Sequence, residues 1–552
     1  MPSSLGSMQV AYLRDIATSA KTGEYQKALN LSRHLIALSL KGLNYYQKYD
    51  RVFLSVIVTL GFLGWIGCVI LQVFQESPVQ NSTKDRKIAA KTSVVNRIFL
   101  GIGCIAVVLL QVEKAPIMHY IYCLIPLICW NYVARQCVCL RKTWVFSVSS
   151  RTLKLSLSLL VGLIGLEILV LSFFYRYILS VGLILLASWP LATPLFKTHP
   201  LSAVLWILHC LMLSCFPLLP VVGRDPNYPL VTLAGILAFL GVVGILLGYH
   251  RNQIGLQRRT KIVFGVQLLI LVGAIIVLNH TVYSLSLKRG LPRSSKMFSW
   301  SSIVSCVTLP TLSSRFLMLR LLSITISLIS VYFLLSTSYE GLFLLVLAST
   351  MAVWLTLEHQ LSHANDRVPV RDDRTKPNEN PSPLSRILVH DPQDSRARRV
   401  SFDDLRCAFF FVFFIIVAFF GTGNIASINS FDPPSVYCFL TVFSPFVMGS
   451  LLLFKVVVPF VVVTCVFDAV HVVCRVPVNR LFLLVLVMTD LMALQFFYLV
   501  RDHGSWLEIG TSISHYVILL SFINFLLIIF GVARYFTRST WWTHASSKSH
   551  FQ

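Results

Sequence analysis

Charge is scarce along this sequence. Asp, Glu, Lys and Arg make up 13% of its 552 residues and apolar types 56%, whereas a soluble domain carries about 25% charged residues. The apolar residues fall in repeated runs of roughly 20, the length that crosses a bilayer as a helix. The hydrocarbon core excludes unpaired backbone groups, so these runs are expected to be helical. The alternating pattern of an outer-membrane barrel is absent. So is the apolar run after a charged start that marks a secretory leader. No phosphate-binding loop, dinucleotide fingerprint or nucleophile elbow stands in a strand-to-helix context. No internal repeat marks the inverted halves of many transporters.

What is present reads as an all-α polytopic transmembrane helix bundle of about 15 spans, the first near 52–73 and the last near 513–533. The run 298–312 is short and serine-rich, and 433–453 and 456–474 read as two separate spans. The chain divides into an amphipathic segment 1–51, a first helix block 52–357, a disordered loop 358–404, a second block 405–533 and a tail 534–552. In the first segment Ala28, Leu31, Leu35 and Leu38 share one helical face. The loop mixes charge, proline and serine, and its "RRVS" places two arginines ahead of Ser401, a candidate kinase site on a solvated charged edge.

Net charge is +24. The basic residues are spread over short loops with no basic module to hold nucleic acid, so they set orientation and meet anionic headgroups. Lys84, Arg86, Arg135, Lys142, Arg251 and Arg258 put every second loop in the cytosol and residues 1–51 outside it, with "LKRGLPRSSK" (287–296) as the exception. Asn30 in "NLS" is then the best-placed glycosylation acceptor. Most of the 13 cysteines lie in apolar runs as small hydrophobes, while Cys137 and Cys139 sit at a basic edge open to palmitoylation.

Acids inside spans are costly. Glu167, Asp468 and Asp490 are such acids, each balanced between pairing with a neighbouring helix and binding a polar headgroup. Arg176 follows Glu167 too far along for a same-helix pair. His359 and His363 lie one turn apart beside Glu358 without a third defined ligand, which favours ordinary interfacial histidine over a metal site. The small residues of "GFLGWIG" (Gly61, Gly64, Gly67) and "GVVGILLG" (Gly241, Gly244, Gly248) are expected to let helices approach closely. In "FFGTGNIASINSFDPPSVYCFLTVFSPF" (419–446), Gly421 and Gly423 permit a tight turn, and Pro433 and Pro434 restrict the chain before the next span. The segment is a connection between helices whose amides and polar side chains are also suited to a phosphate.

That stretch, together with "LEILVLSFFYRY", "LKGLNYYQKYDR" and "DHGSWLEIGTSISHYVI", resembles the C-terminal membrane half of the PIG-N family of ethanolamine phosphate transferases, from about residue 11 onward. The resemblance implies an enzyme of glycosylphosphatidylinositol (GPI) anchor synthesis in the endoplasmic reticulum membrane. It implies transfer of ethanolamine phosphate from phosphatidylethanolamine to the first α1,4-linked mannose of the GPI precursor. The family's catalytic domain is lumenal, with a threonine nucleophile and zinc, and only about 51 residues precede the first span here, too few for a domain of that size. The chain is therefore expected to begin after that domain, to hold no catalytic or metal residue and to bind no cofactor itself. Its expected partners are the two lipids, the surrounding bilayer and other GPI-synthesis enzymes. Glu167, Arg176, Thr422, Asn424, Asn429 and Asp432 are the headgroup candidates on this view. A lipid transporter or scramblase lined by Glu167, Asp468 and Asp490 is one rival reading, and a noncatalytic scaffold the other.

Overall fold

A computed structural model describes residues 2–48, 51–74, 85–140, 150–193, 195–221, 226–251, 257–313, 316–366, 402–421, 433–474 and 476–538. Helices and their connections account for all of them, and no strand occurs among the described residues. The chain forms two compact units, Met1–Cys68 with Asn81–Thr143, and Val69–Gln80 with Trp144–Gln552.

The first unit opens with a hairpin of α1 (Pro2–Lys21) and α2 (Tyr25–Lys48), turned at Gly23, whose φ of +80° suits a residue without a Cβ. Segment 1–51 is thus a helical pair. Ala28, Leu31, Leu35 and Leu38 of α2 are half-buried, as their spacing predicts. Asn30 is exposed on the same helix. Then come α3 (Arg51–Phe74), which runs on into the second unit, α4 (Asp85–Val112) and α5 (Ile117–Leu140). Gly61, Gly64 and Gly67 face α5. A Cβ on Gly64 would lie 3.0 Å from that of Cys129, and Trp130 Nε1 donates to Leu60 O at 3.0 Å. The close approach expected of "GFLGWIG" is real.

The second unit holds α6 (Ser150–Ser172), α7 (Ile178–Ala187), α8 (Leu195–Thr198), α9 (Pro200–Ser214), α10 (Tyr228–Arg251), α11 (Arg258–Ser286), α12 (Arg293–Leu312), α13 (Leu317–Leu334), α14 (Glu340–Asp366), α15 (Phe402–Phe420), α16 (Pro445–Val473), α17 (Val478–Leu499) and α18 (Trp506–Arg538). Its core is α13 to α16. Of the most apolar stretch of each helix, 78% is buried in α13 and 72% in α16, but only 28% in α10. Burial here does not follow apolarity, since α10 is more apolar than α13; the outer helices turn large side chains such as Leu240, Leu269 and Ile276 outward. Small residues bring α15 into place: a Cβ on Gly165 or Gly182 would meet Phe409 at 2.6 Å or Phe413 at 2.9 Å. "GVVGILLG" differs, because nothing lies within 4 Å of a Cβ added at Gly241, Gly244 or Gly248. That glycine face is open, and helix contact does not account for it.

Eleven of the described helices are long and apolar enough to cross a membrane, and Leu160–Ser172 and Ile178–Ala192 are shorter apolar helices. Three sequence boundaries shift. The runs 433–453 and 456–474 are not two spans: Pro433–Val436 is a short 3-10 turn, and α16 is continuous from Pro445. Lys455 interrupts hydropathy there without interrupting the helix, because its charge is matched from a neighbour. Both ends of segment 358–404 are helical, since α14 runs to Asp366 and α15 starts at Phe402. The last helix extends to Arg538, into the expected tail. Ser401 lies outside the described residues.

Candidate functional site

Helix direction alternates through the second unit, so its residues gather at two ends. At one end, α6, α9, α13 and α15 finish while α7, α10, α14 and α16 begin. Helix C-termini leave carbonyls without intrahelical partners and carry partial negative charge. Arg176, between α6 and α7, is set among them. Its Nε donates to Phe420 O at 2.8 Å, its Nη1 to Leu219 O at 3.1 Å, and its Nη2 to Gly421 O at 2.8 Å and Phe216 O at 3.0 Å. Nη2 also reaches the Tyr339 hydroxyl at 3.4 Å, which in turn donates to Pro220 O at 2.6 Å. Burial raises the Tyr339 phenol above its ordinary pKa, and the Arg176 cation works against that rise. A guanidinium has five N–H donors in a rigid fork. Here the fork ties the end of α15 to the end of α9 and the start of α14.

One layer further in, Glu340 in the first turn of α14 meets Lys455 of α16 at 2.7 Å, both side chains wholly buried. Lys455 also donates to Ser435 Oγ at 3.0 Å, and Glu340 accepts from Thr337 N at 3.2 Å. Residues 422–432, which hold the headgroup candidates Thr422, Asn424, Asn429 and Asp432, lie outside the described residues. The chain on either side of them is fixed: Gly421 by Arg176, and Ser435 by Lys455. Gly421 is required by packing and not by an unusual φ, since a Cβ there would come within 2.3 Å of Phe343. Beside this end a cavity of about 170 Å³ is lined by Tyr228, Thr281, Ser336, Pro434, Tyr437 and Cys438, among others. The buried Thr281 hydroxyl there is hydrogen-bonded to the Cys438 thiol.

At the opposite end, Arg406 pairs with buried Glu358 at 2.8 Å, stacks over Trp189 at 4.6 Å and approaches Asp403 at 3.4 Å. Trp354 Nε1 donates to Glu358 Oε1 at 3.1 Å. Among the described residues, Glu358, Cys407 and Cys474 form a group whose donor atoms all lie within 4.8 Å of one another. The set fits zinc poorly. It offers three ligands where a structural site uses four, and its carboxylate is already held by Arg406. His359 is not among them. Asp468 accepts from Thr537 Oγ1 at 2.5 Å, and its backbone carbonyl contacts the His471 ring. Buried Arg320 donates to Phe536 O at 2.6 Å.

The structure thus separates the acids picked out by hydropathy. Glu167, near the end of α6 on the Arg176 side, does not pair with Arg176; it accepts from Gln495 Nε2 of α17. Asp468 sits near the other end of the bundle, and Asp490 is buried in α17. Glu167 and Asp468 lie toward opposite ends of the bundle and do not share one site. Sequence reading passed over Glu340 and Lys455, although a single lysine inside a long apolar run is a signal that a buried partner exists.

Residues 41–505, from the last turns of α2 to the start of α18, match the family model described as Phosphatidylinositolglycan class N (PIG-N). The chain belongs to the PIG-N family. It is 40% identical over 546 residues to GPI ethanolamine phosphate transferase 1 of Homo sapiens, an alignment covering 99% of this chain and 58% of the human protein. The Mus musculus protein of the same name is also 40% identical, with 57% of its length covered. That of Aspergillus oryzae is 33% identical over 540 residues, covering 92% of this chain and 52% of its own. The chain therefore spans a little over half the length of the curated relatives it matches. No solved structure matches it. The PIG-N match takes in Arg176, Glu340, Lys455 and the 422–432 segment alike.

Proposed function

We propose that this chain gathers and presents the lipid reactants for an ethanolamine phosphate transfer in GPI-anchor synthesis, at the lumenal face of the endoplasmic reticulum membrane. The observation that carries the reading is 40% identity over 99% of the chain to a protein named GPI ethanolamine phosphate transferase 1. The donor is phosphatidylethanolamine and the acceptor the first α1,4-linked mannose of the GPI precursor. In the net transfer the bond from phosphorus to the diacylglycerol oxygen breaks, phosphorus becomes bonded to the mannose hydroxyl oxygen, and diacylglycerol leaves with the proton that the hydroxyl gives up. Both reactants are membrane lipids, so holding them side by side converts an encounter into a local event, a gain in proximity.

In this reading the described residues bind and orient; they neither make nor break the bonds. The Arg176 end is the working face, where Gly421 and Ser435 are anchored. Disrupting the gene for this chain in its own cells tests the proposal. Mass spectrometry of the GPI precursors is expected to show loss of ethanolamine phosphate from the first mannose, restored by re-expression. Normally modified precursors after disruption would overturn it.

A further inference from the structure

Glu167 is an exposed carboxyl group on the outer wall of the second unit. Around it that wall is apolar: Leu163, Ile164 and Leu171 of the same helix are exposed, as are Phe174 and Tyr498 nearer its end. An acid turned toward lipid instead of the bundle interior is costly unless something answers it. The partner it has, the Gln495 amide, is neutral and engages only one of its oxygens. The same amide carries a carbonyl oxygen, a second acceptor on the Gln495 side chain, and no cation is described beside the pair.

Depth and surroundings narrow the occupant. Glu167 lies five residues before the end of α6, and Gln495 four before the end of α17. At 1.5 Å per residue that is roughly 6–8 Å inside the helix ends, the level where headgroup and glycerol meet the acyl chains. Just above, Phe174 and Phe496 enclose the His515 ring at 5.1 and 6.1 Å between centroids. His515 Nδ1 is buried without a hydrogen-bond partner. Paired acceptors under an aromatic rim suit a group that brings positive charge and N–H donors together. A quaternary ammonium has the charge without the donors, and an anionic headgroup that lacks an amine, such as that of phosphatidylglycerol, has neither.

We propose that Glu167 and Gln495 form a lateral site, open to the bilayer between α6 and α17, that binds a phospholipid by its primary-amine headgroup. This rests on the lipid-presenting reading above and adds to it the place where the amine-bearing lipid docks. The Glu167 carboxylate accepts from the ammonium, Gln495 supplies the second acceptor, and the apolar wall of α6 receives the acyl chains.

The test uses the full chain in detergent, with native mass spectrometry of phosphatidylethanolamine, phosphatidylcholine and phosphatidylglycerol of matched acyl chains. Phosphatidylethanolamine is expected to be retained about tenfold more strongly than the other two, and Glu167→Gln, which keeps the shape and the Gln495 contact, is expected to abolish that preference. In the unaltered chain, phosphatidylethanolamine but not phosphatidylcholine should slow carbodiimide modification of Glu167, a readout independent of any variant. Equal retention of the three lipids, or an undiminished preference in Glu167→Gln, would overturn the site. Free ethanolamine displacing the lipid at equal concentration would overturn the assignment to a lipid. None of these results bears on the gene-disruption outcome, so the site and the pathway can fail separately.

Discussion

Lys455→Met removes one member of an ion pair that has no solvent to fall back on. Both side chains of the Glu340–Lys455 pair are fully buried, 2.7 Å apart. Losing the cation leaves a buried carboxylate with only the Thr337 amide, and deprives Ser435 of the ammonium that holds it. Breaking one side of such a pair costs about 3–5 kcal/mol, whereas replacing both members by neutral groups of similar volume is often close to neutral. Glu340→Gln combined with Lys455→Met should therefore recover most of the loss, because glutamine keeps an acceptor for Thr337 N–H without the charge. Thermal unfolding in detergent, followed by tryptophan fluorescence, reads this directly. A domain of about 150–250 residues shifts roughly 2–4 °C per kcal/mol and a larger unit less, so a drop of several degrees is expected for Lys455→Met, largely reversed in the double variant. A single variant as stable as the parent, or a double variant no better than the single, would refute the reasoning.

Two further predictions concern glycines. Gly421→Ala places a Cβ 2.3 Å from Phe343 and 2.7 Å from Val417 O; overpacking of this kind costs about 1–3 kcal/mol, read as a lower unfolding temperature, and an unchanged one would show the end of α15 to be looser than described. Gly64→Leu should destabilise the α3–α5 contact through Cys129 and Trp130, while Gly244→Ala, with nothing within 4 Å, should leave stability unchanged or raised; the reverse order would mean that α10 has a neighbour and α3 does not.

The class of fold was legible because bilayer physics leaves few choices: runs as apolar as 456–474 must be helices. The inner face of α2 was legible for a similar reason, since Ala28, Leu31, Leu35 and Leu38 repeat at helical spacing. What escaped depends on partners far away in sequence. Lys455 looks like a break between two spans until Glu340 is seen beside it. Arg176 looks free because its partners are backbone carbonyls, which every residue carries and no sequence pattern announces. The glycines of α3 and α10 read alike, and only the neighbour, present in one case and absent in the other, tells them apart.

The Arg176 clamp grips main-chain oxygens at positions 216, 219, 420 and 421, and so is indifferent to most of the side chains there. Substitution at the exposed Leu219 can drift without loosening the junction, whereas Arg176→Lys replaces a planar fork by a single ammonium and cannot reach all four. Gly421 is held by Arg176 and Ser435 by Lys455, so the two flanks of residues 422–432 rest on contacts made outside that segment. A graft of 422–432 from a relative is therefore expected to leave both anchors in place.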